Sequence, residues 1–239
     1  MNTLVKANMM RMFKHIFFIP GLILAFLITI FVVRLKIADP DIAEYWHRSA
    51  SLGIAAFSSF FLPFFLGCEY KDGAMRNKVI AGRKQSTVYM ADLISALLGT
   101  TIMVVVWLAA GIIGLVSGGA PIGIGFIQNS AMILMLNLFY TAIIVWFSLR
   151  IKKMVLSSII SILFFIVSYF SGVTAFSINM LSGNSVTAVA ENLFPLGQWF
   201  GIMNMDDSVP FYVRIAISIA LLIVVTLIGK FKINKRALV

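Results

Sequence analysis

"CEYKDGAMRNKVIAGRKQSTVYMADLI", residues 68–94, interrupts an otherwise apolar chain. From Glu69 to Asp92 it holds eight charges: Glu69, Lys71, Asp72, Arg76, Lys78, Arg83, Lys84 and Asp92. Ser49–Cys68 on one side and Leu93–Leu149 on the other carry none. A charged island between such runs is the pattern of an aqueous loop joining two membrane spans, since about twenty residues at 1.5 Å each cross a ~30 Å hydrocarbon core.

Outward from the island the pattern repeats. Ile16–Val33 is free of charge, and "SGGAPIGIG" (117–125) is a Gly/Pro turn that divides the long run after the island in two. The expected spans are about 16–33, 49–68, 93–116, 128–149, 154–176 and 211–229. Arg214, near the outer end of the sixth, is placed to snorkel to the headgroups. With 61% hydrophobic residues, 12% charged, 21 Phe and mean hydropathy +1.01, the 239 residues make too little polar surface for a water-soluble domain. The expectation is an all-α membrane protein, one transmembrane domain over 1–239, with six transmembrane helices and no internal repeat. Arg34 and Lys36 follow the first run in place of a small-residue cleavage site, so that run reads as an anchor.

The net charge of +10 is explained by topology. Fifteen of the nineteen Lys and Arg fall in 1–15, 69–92, 150–153 and after 229, and four (Arg34, Lys36, Arg48, Arg214) fall in the other loops and their edges. The positive-inside rule then places both termini and the island in the cytoplasm. The basic excess speaks for contact with anionic lipid in the bilayer, and nucleic acid is not an expected partner. In "MNTLVKANMMRMFKH" (1–15), Val5, Met9, Met12 and Phe13 continue into Ile16 as one helical face, with Asn8, Arg11 and Lys14 opposite, the pattern of an interfacial amphipathic helix. The long outer segment 177–210 is too apolar for a solvated linker. Its "ENLFPLGQWFGI" suits a short helix or re-entrant turn, with Trp199 at headgroup level.

No catalytic constellation is expected. His15 and His47 flank the first span and outer loop from opposite sides, the lone Cys68 pairs with nothing within the chain, and no Cys/His spacing fits a metal. The Ser–Gly pairs in "YFSG" and "VSGG" lack a general base within the spans. Asp92 reads as a cap or neutralising charge at the start of the third span. No G-x-x-x-x-G-K-[ST] loop is present and no span carries an ionisable residue near its centre, so any ATP-driven work belongs to a separate polypeptide.

Within the island, Asp72 is placed to cap a helix over Gly73–Ala81 that stops at Gly82, and Ser86 or Thr87 to cap the third span. Met75 and Val79, four apart, form an apolar ridge with Arg76 and Asn77 beside it. Such a helix between two tight turns reads as a docking element for a soluble partner.

These residues resemble the membrane (permease) subunits of type-2 ABC exporters, the type V fold. The family's loop after the second span reads E-[FY]-x-x-G-[TS]-x-[RK]-N, then a small apolar stretch, a Gly or Pro and a basic/Ser pair. Glu69-Tyr70, Gly73, Arg76-Asn77 and "VIAGRKQS" match it, while Ala74 stands where the hydroxyl is usual. "NLFPLGQ" (192–198) resembles the family's N-x-x-x-P-x-G-Q stretch before the last span. The resemblance covers the whole chain.

It implies that 72–81 is a coupling helix seated in an ATP-binding subunit, with Glu69, Asp72, Gly73, Met75, Arg76, Asn77, Val79 and Gly82 in the coupling region. It further implies two ATP-binding cassette subunits that bring ATP and Mg, and a second membrane subunit, as homodimer or related heterodimer. Cargo would pass along the second and fifth spans, which supply Phe57, Phe60, Phe61, Phe64 and Phe65 around a kink at Pro63, and Phe164, Phe165, Tyr169 and Phe170. An aromatic, uncharged path suits a hydrophobic or amphipathic cargo, foremost a peptide such as a toxin or antimicrobial peptide, exported from a bacterial cell through its plasma membrane. The competing readings are a peptide-binding immunity or sensory membrane protein, and an intramembrane enzyme.

Overall fold

The computed structural model describes the chain apart from residues 152, 195, 205–207 and 234–239, and the side chains of Lys232 and Ile233. Lys152, Pro195 of the "NLFPLGQ" stretch, and Lys235 and Arg236 of the basic C-terminus therefore lie outside the described residues. Those described form helices and turns without a strand. In chain order the helices are α1 (Asn2–Lys14), α2 (Phe18–Leu35), α3 (Pro40–Ala50), α4 (Leu52–Lys71), α5 (Ala74–Ile80), α6 (Gln85–Val116), α7 (Ile124–Arg150), α8 (Met154–Ser182), α9 (Ser185–Leu193), α10 (Gly197–Met203) and α11 (Phe211–Ile233).

Six segments are long and apolar enough to cross a membrane: α2, α3 with α4, α6, α7, α8, and α11 as far as Phe231. The chain has the build of an all-helical multi-pass membrane protein. The helices extend past the charge-free runs because a helix does not end where charge begins. α6 starts eight residues before Leu93, and α8 continues to Ser182. The loop after α2 is itself largely helical: Asp39 accepts from the backbone N–H groups of Asp41 and Ile42, Pro40 supplies a preset first turn, and α3 runs to Ala50. Helix α4 continues through Pro63.

The core lies between α4, α6 and α7. α4 packs against α7 and α8, α6 against α2 and α7, and α11 lies on α7. Close approach is made at glycines, as expected where apolar helices gain little by hiding from lipid and must instead fit one another. A Cβ on Gly99 would stand 2.5 Å from Met12 Sδ, one on Gly67 2.6 Å from Met154, and one on Gly172 2.7 Å from the Leu196 backbone. Hydroxyls bridge α7 to its neighbours: Ser59 of α4 with Tyr140 at 2.9 Å and Thr100 of α6 with Thr141 at 2.8 Å.

At the end opposite the charged island, α9 and α10 form a hairpin against α8. Gln198 Nε2 donates to the Asn192 carbonyl at 2.6 Å, Ser218 donates to Gln198 Oε1 at 2.7 Å, and Asn179 Nδ2 donates to Glu191 Oε2 at 2.8 Å. Two expectations change here. Arg214 does not snorkel: it is 2% exposed and its Nε donates to the Val209 carbonyl. Trp199 is buried, its Nε1 donating to Ser51 Oγ at 2.9 Å across the α3–α4 joint.

Gly172 sits under that hairpin with backbone, not a flexible side chain, as its neighbour. Gly172→Leu is expected to cost about 1–3 kcal/mol through overpacking and to lower the thermal unfolding midpoint of the purified protein in detergent. Gly125→Ala, where a Cβ meets nothing within 4 Å, should leave the midpoint within error of the parent.

Candidate functional site

The charged island and the N-terminal segment meet in one buried ionic cluster. α4 delivers Glu69 from its last turn, α1 delivers Asn8 and Arg11, α5 delivers Lys78, and α6 delivers Asp92 from two turns inside its start, about 10 Å along at 1.5 Å per residue. Arg11 Nη1 reaches Glu69 Oε1 at 2.5 Å and Lys78 Nζ reaches Glu69 Oε2 at 2.7 Å. Lys78 Nζ also bonds Asp92 Oδ1 and Asn8 Oδ1, each at 3.2 Å, while Asn8 Nδ2 donates to Asp92 Oδ1 at 2.7 Å. The side chains of Glu69 and Asp92 are wholly buried and Lys78 nearly so. Two acids and two bases cancel in charge, which is the condition under which such groups are tolerated away from water.

Helix α5 itself rests on two glycines. Gly73 (φ 70°) and Gly82 (φ 79°) occupy the left-handed region, which costs a residue with a Cβ 1–2 kcal/mol, and so turn the chain sharply into and out of the helix. Gly82 stands where the sequence placed it. Asp72 does not cap: it ends α4, and α5 begins at Ala74 behind Gly73 with no side-chain cap. α6 likewise starts at Gln85 without a Ser86 or Thr87 cap.

The predicted docking ridge is also corrected. Met75 is 2% exposed and belongs to the chain's own core, and Val79 is half-buried. A seven-residue helix has too few turns to hold itself, so its order comes from burying one face, and Met75 with Lys78 is that face. The outward residues are Arg76, Asn77 and Ile80, the last 70% exposed. On α1, Asn8, assigned to the polar side, is 1% exposed with Met12 at 0%, while Phe13 and Ile16 of the apolar face are not covered by the rest of the chain. The reason is Asp92, which supplies the polar side of α1 with a buried partner.

The aromatic residues of the second and fifth spans separate into two groups. Phe61 and Phe65 stack at 5.8 Å inside the core and do not line a path. Phe164 and Phe165 pack on Tyr140, and Tyr169 meets Phe200 edge-on at 5.2 Å. Phe57, Phe60 and Phe64 form the outward strip of α4, and Phe60 and Phe64 join Phe17 edge-on at 5.6 and 5.5 Å. His15 lies at the base of the strip against Phe64, and burial there lowers its pKa below the ordinary histidine value.

Sequence reasoning missed the roles of Asn8, Lys78 and Asp92. The available signal was two acids, Glu69 and Asp92, each bordering an apolar run, where an uncompensated carboxylate would be costly. No protein-family model matches the chain, and no curated protein matches it in sequence.

Lys78→Met would leave Asp92 buried without a cation, a change expected to cost about 3–5 kcal/mol. Adding Asp92→Asn removes that charge while keeping an acceptor for Asn8, so the double variant should be more stable than Lys78→Met alone. A double-mutant cycle of unfolding midpoints reads the difference, and additive effects would place the two residues in separate environments.

Proposed function

We propose that this chain is the transmembrane subunit of an ATP-driven exporter that carries a hydrophobic or amphipathic substrate, foremost a peptide such as a toxin or antimicrobial peptide, outward across a bacterial plasma membrane. The observation that supports this best is α5: a short helix between two membrane spans, tied to α4 and α6 by buried ion pairs and to α1 by a hydrogen bond to Asn8, with Arg76, Asn77 and Ile80 turned outward. A loop that served only to set topology would need the basic residues and not this anchorage. The resemblance of the island to the coupling region of type V exporters points the same way, and the basic asymmetry favours a cytoplasmic location for this end, for both termini and for α1 at the membrane surface.

In this reading the chain performs no hydrolysis. Two ATP-binding cassette subunits bring ATP and Mg, a second membrane subunit, identical or related, completes the pathway, and α5 is the coupling helix. The contact surface is Ile80 flanked by Arg76, Arg83 and Lys84, which suits an apolar notch bordered by carboxylates. Glu69 and Met75 act from beneath, by holding the helix in place. The strip of Phe57, Phe60 and Phe64, with the exposed Phe170 of α8, is open to a substrate, and its lack of charge fits an apolar or amphipathic cargo.

Two experiments test the reading. Ile80 is exposed, so Ile80→Asp should reach the membrane at parental level with an unchanged unfolding midpoint, yet fail to retain a co-purifying ATPase, because a carboxylate would enter an apolar contact unpaired. Met75→Asp should instead lower the stability of the chain itself. Retention of an ATPase by Ile80→Asp, or the absence of one from the parental preparation, overturns the proposal.

The orientation is read by single cysteines in a Cys68→Ala background. Asn184→Cys should react with an impermeant thiol reagent in intact cells, and Arg83→Cys only after the membrane is opened. The reverse pattern would invert the assignment.

A further inference from the structure

A groove runs between α2 and α4 with α6 as its floor, and encloses about 90 Å³. Its inner end is closed where Gly21 lets α2 approach the Phe57 ring, and its outer end is bounded by Ala50 and Trp107. The mouth opens sideways, between Leu24 and Ile28 on one lip, 57% and 47% exposed, and Gly53 on the other. A Cβ on Gly53 would meet nothing within 4 Å, so a side chain can be added at this lip without a clash.

The volume is several times what one water needs, at least about 10–15 Å³ of such space with two to four polar partners. The lining denies water those partners. Its one side-chain hydroxyl, Thr29, is committed to the Ala25 carbonyl at 2.7 Å. From Gly21 to Thr29 the groove follows α2 for about 12 Å at 1.5 Å per residue, close to the roughly 15 Å depth of one leaflet of a ~30 Å hydrocarbon core. Both lips belong to membrane-spanning segments, so the medium at the mouth is hydrocarbon. A narrow, elongated, apolar slot of one leaflet's depth fits a single alkyl chain lying along the helices.

We infer that the α2–α4 groove is a binding site for one acyl chain of a membrane phospholipid, held more tightly than the lipid that covers the open faces of the molecule. The site shares Phe57 with the aromatic strip of the proposed pathway, but its occupation by lipid does not rest on the transport reading.

The test uses the full chain reconstituted in vesicles of phosphatidylglycerol with a diazirine in the middle of one acyl chain. After irradiation, adducts are mapped by peptide mass spectrometry. Leu24, Ile28 and Phe57 should be labelled about fivefold more than Leu163 and Val167, a preference of about 1 kcal/mol. The reference residues lie on the face of α8 and are themselves 53% and 61% exposed. Gly53→Phe, and the smaller filler Gly53→Leu, should abolish the excess while leaving the α8 adducts unchanged, and Gly53→Ala should retain it. Equal labelling of the groove and of α8 in the parent protein overturns the inference without needing any variant. So does an excess that survives both fillers.

Discussion

Five side chains from four helices, Asn8, Arg11, Glu69, Lys78 and Asp92, meet in one cluster, and the arrangement of one whole end of the molecule depends on that meeting. Arg11 brings α1 onto α4, Lys78 pins α5 between α4 and α6, and Asn8 closes the ring to Asp92. Each carboxylate would be expensive at its depth without a cation, and neither cation has a comparable partner elsewhere within reach among the described residues. The cluster therefore fixes an arrangement more than it adds stability. A buried ion pair returns little over apolar packing of the same volume, but removing one member is costly, so alternatives that separate the helices are penalised.

The opposite end is held by hydrogen bonds around backbone, with the buried Glu191 and Arg214 among their partners. Gln198 serves two elements at once, donating to the Asn192 carbonyl at the end of α9 and accepting from Ser218 of α11. Gly172 and Gly197 supply the close approach, the first under the hairpin backbone and the second against Glu191. This gives the "NLFPLGQ" stretch a physical meaning: Asn192, Gly197 and Gln198 let an apolar segment fold back on itself while the Asn192 carbonyl and the Gln198 amide keep hydrogen-bond partners. Trp199 then ties the hairpin to Ser51, at the joint where α3 becomes α4.

The number of long apolar helices was legible in the sequence because it depends on charge-free run length, which lipid thickness sets directly. Helix ends were less legible, since turns hidden against neighbours carry charge without exposing it: Asp92 lies buried inside α6 and Glu69 in the last turn of α4. Gly82 was legible because a left-handed turn has few alternatives. Met75 was misread because a helical face names two sides and does not say which one the rest of the chain will cover. The same limit applied to α1 and to the Phe cluster, where Phe61 and Phe65 turned inward and Phe60 and Phe64 outward. Pairings such as Lys78 with Asp92 bring together residues on different helices, and one-dimensional periodicity carries no information about them.

The division of α5 into two faces has a further consequence. The inner face, Met75 and Lys78, is committed to the chain, so only Arg76, Asn77 and Ile80 with the flanking basic residues remain to meet a partner. A contact so small gains little from area, and its strength must come from how little freedom the helix loses on binding. The ion pairs provide this, because α5 is already ordered before any partner arrives. They also join α5 to α1 and α4 through one carboxylate, Glu69. In the proposed exporter a push on Ile80 would therefore be felt at the start of the chain and at the base of α4, whose outward strip carries Phe57, Phe60 and Phe64. An α5 tethered only by its two glycines would swing without moving either.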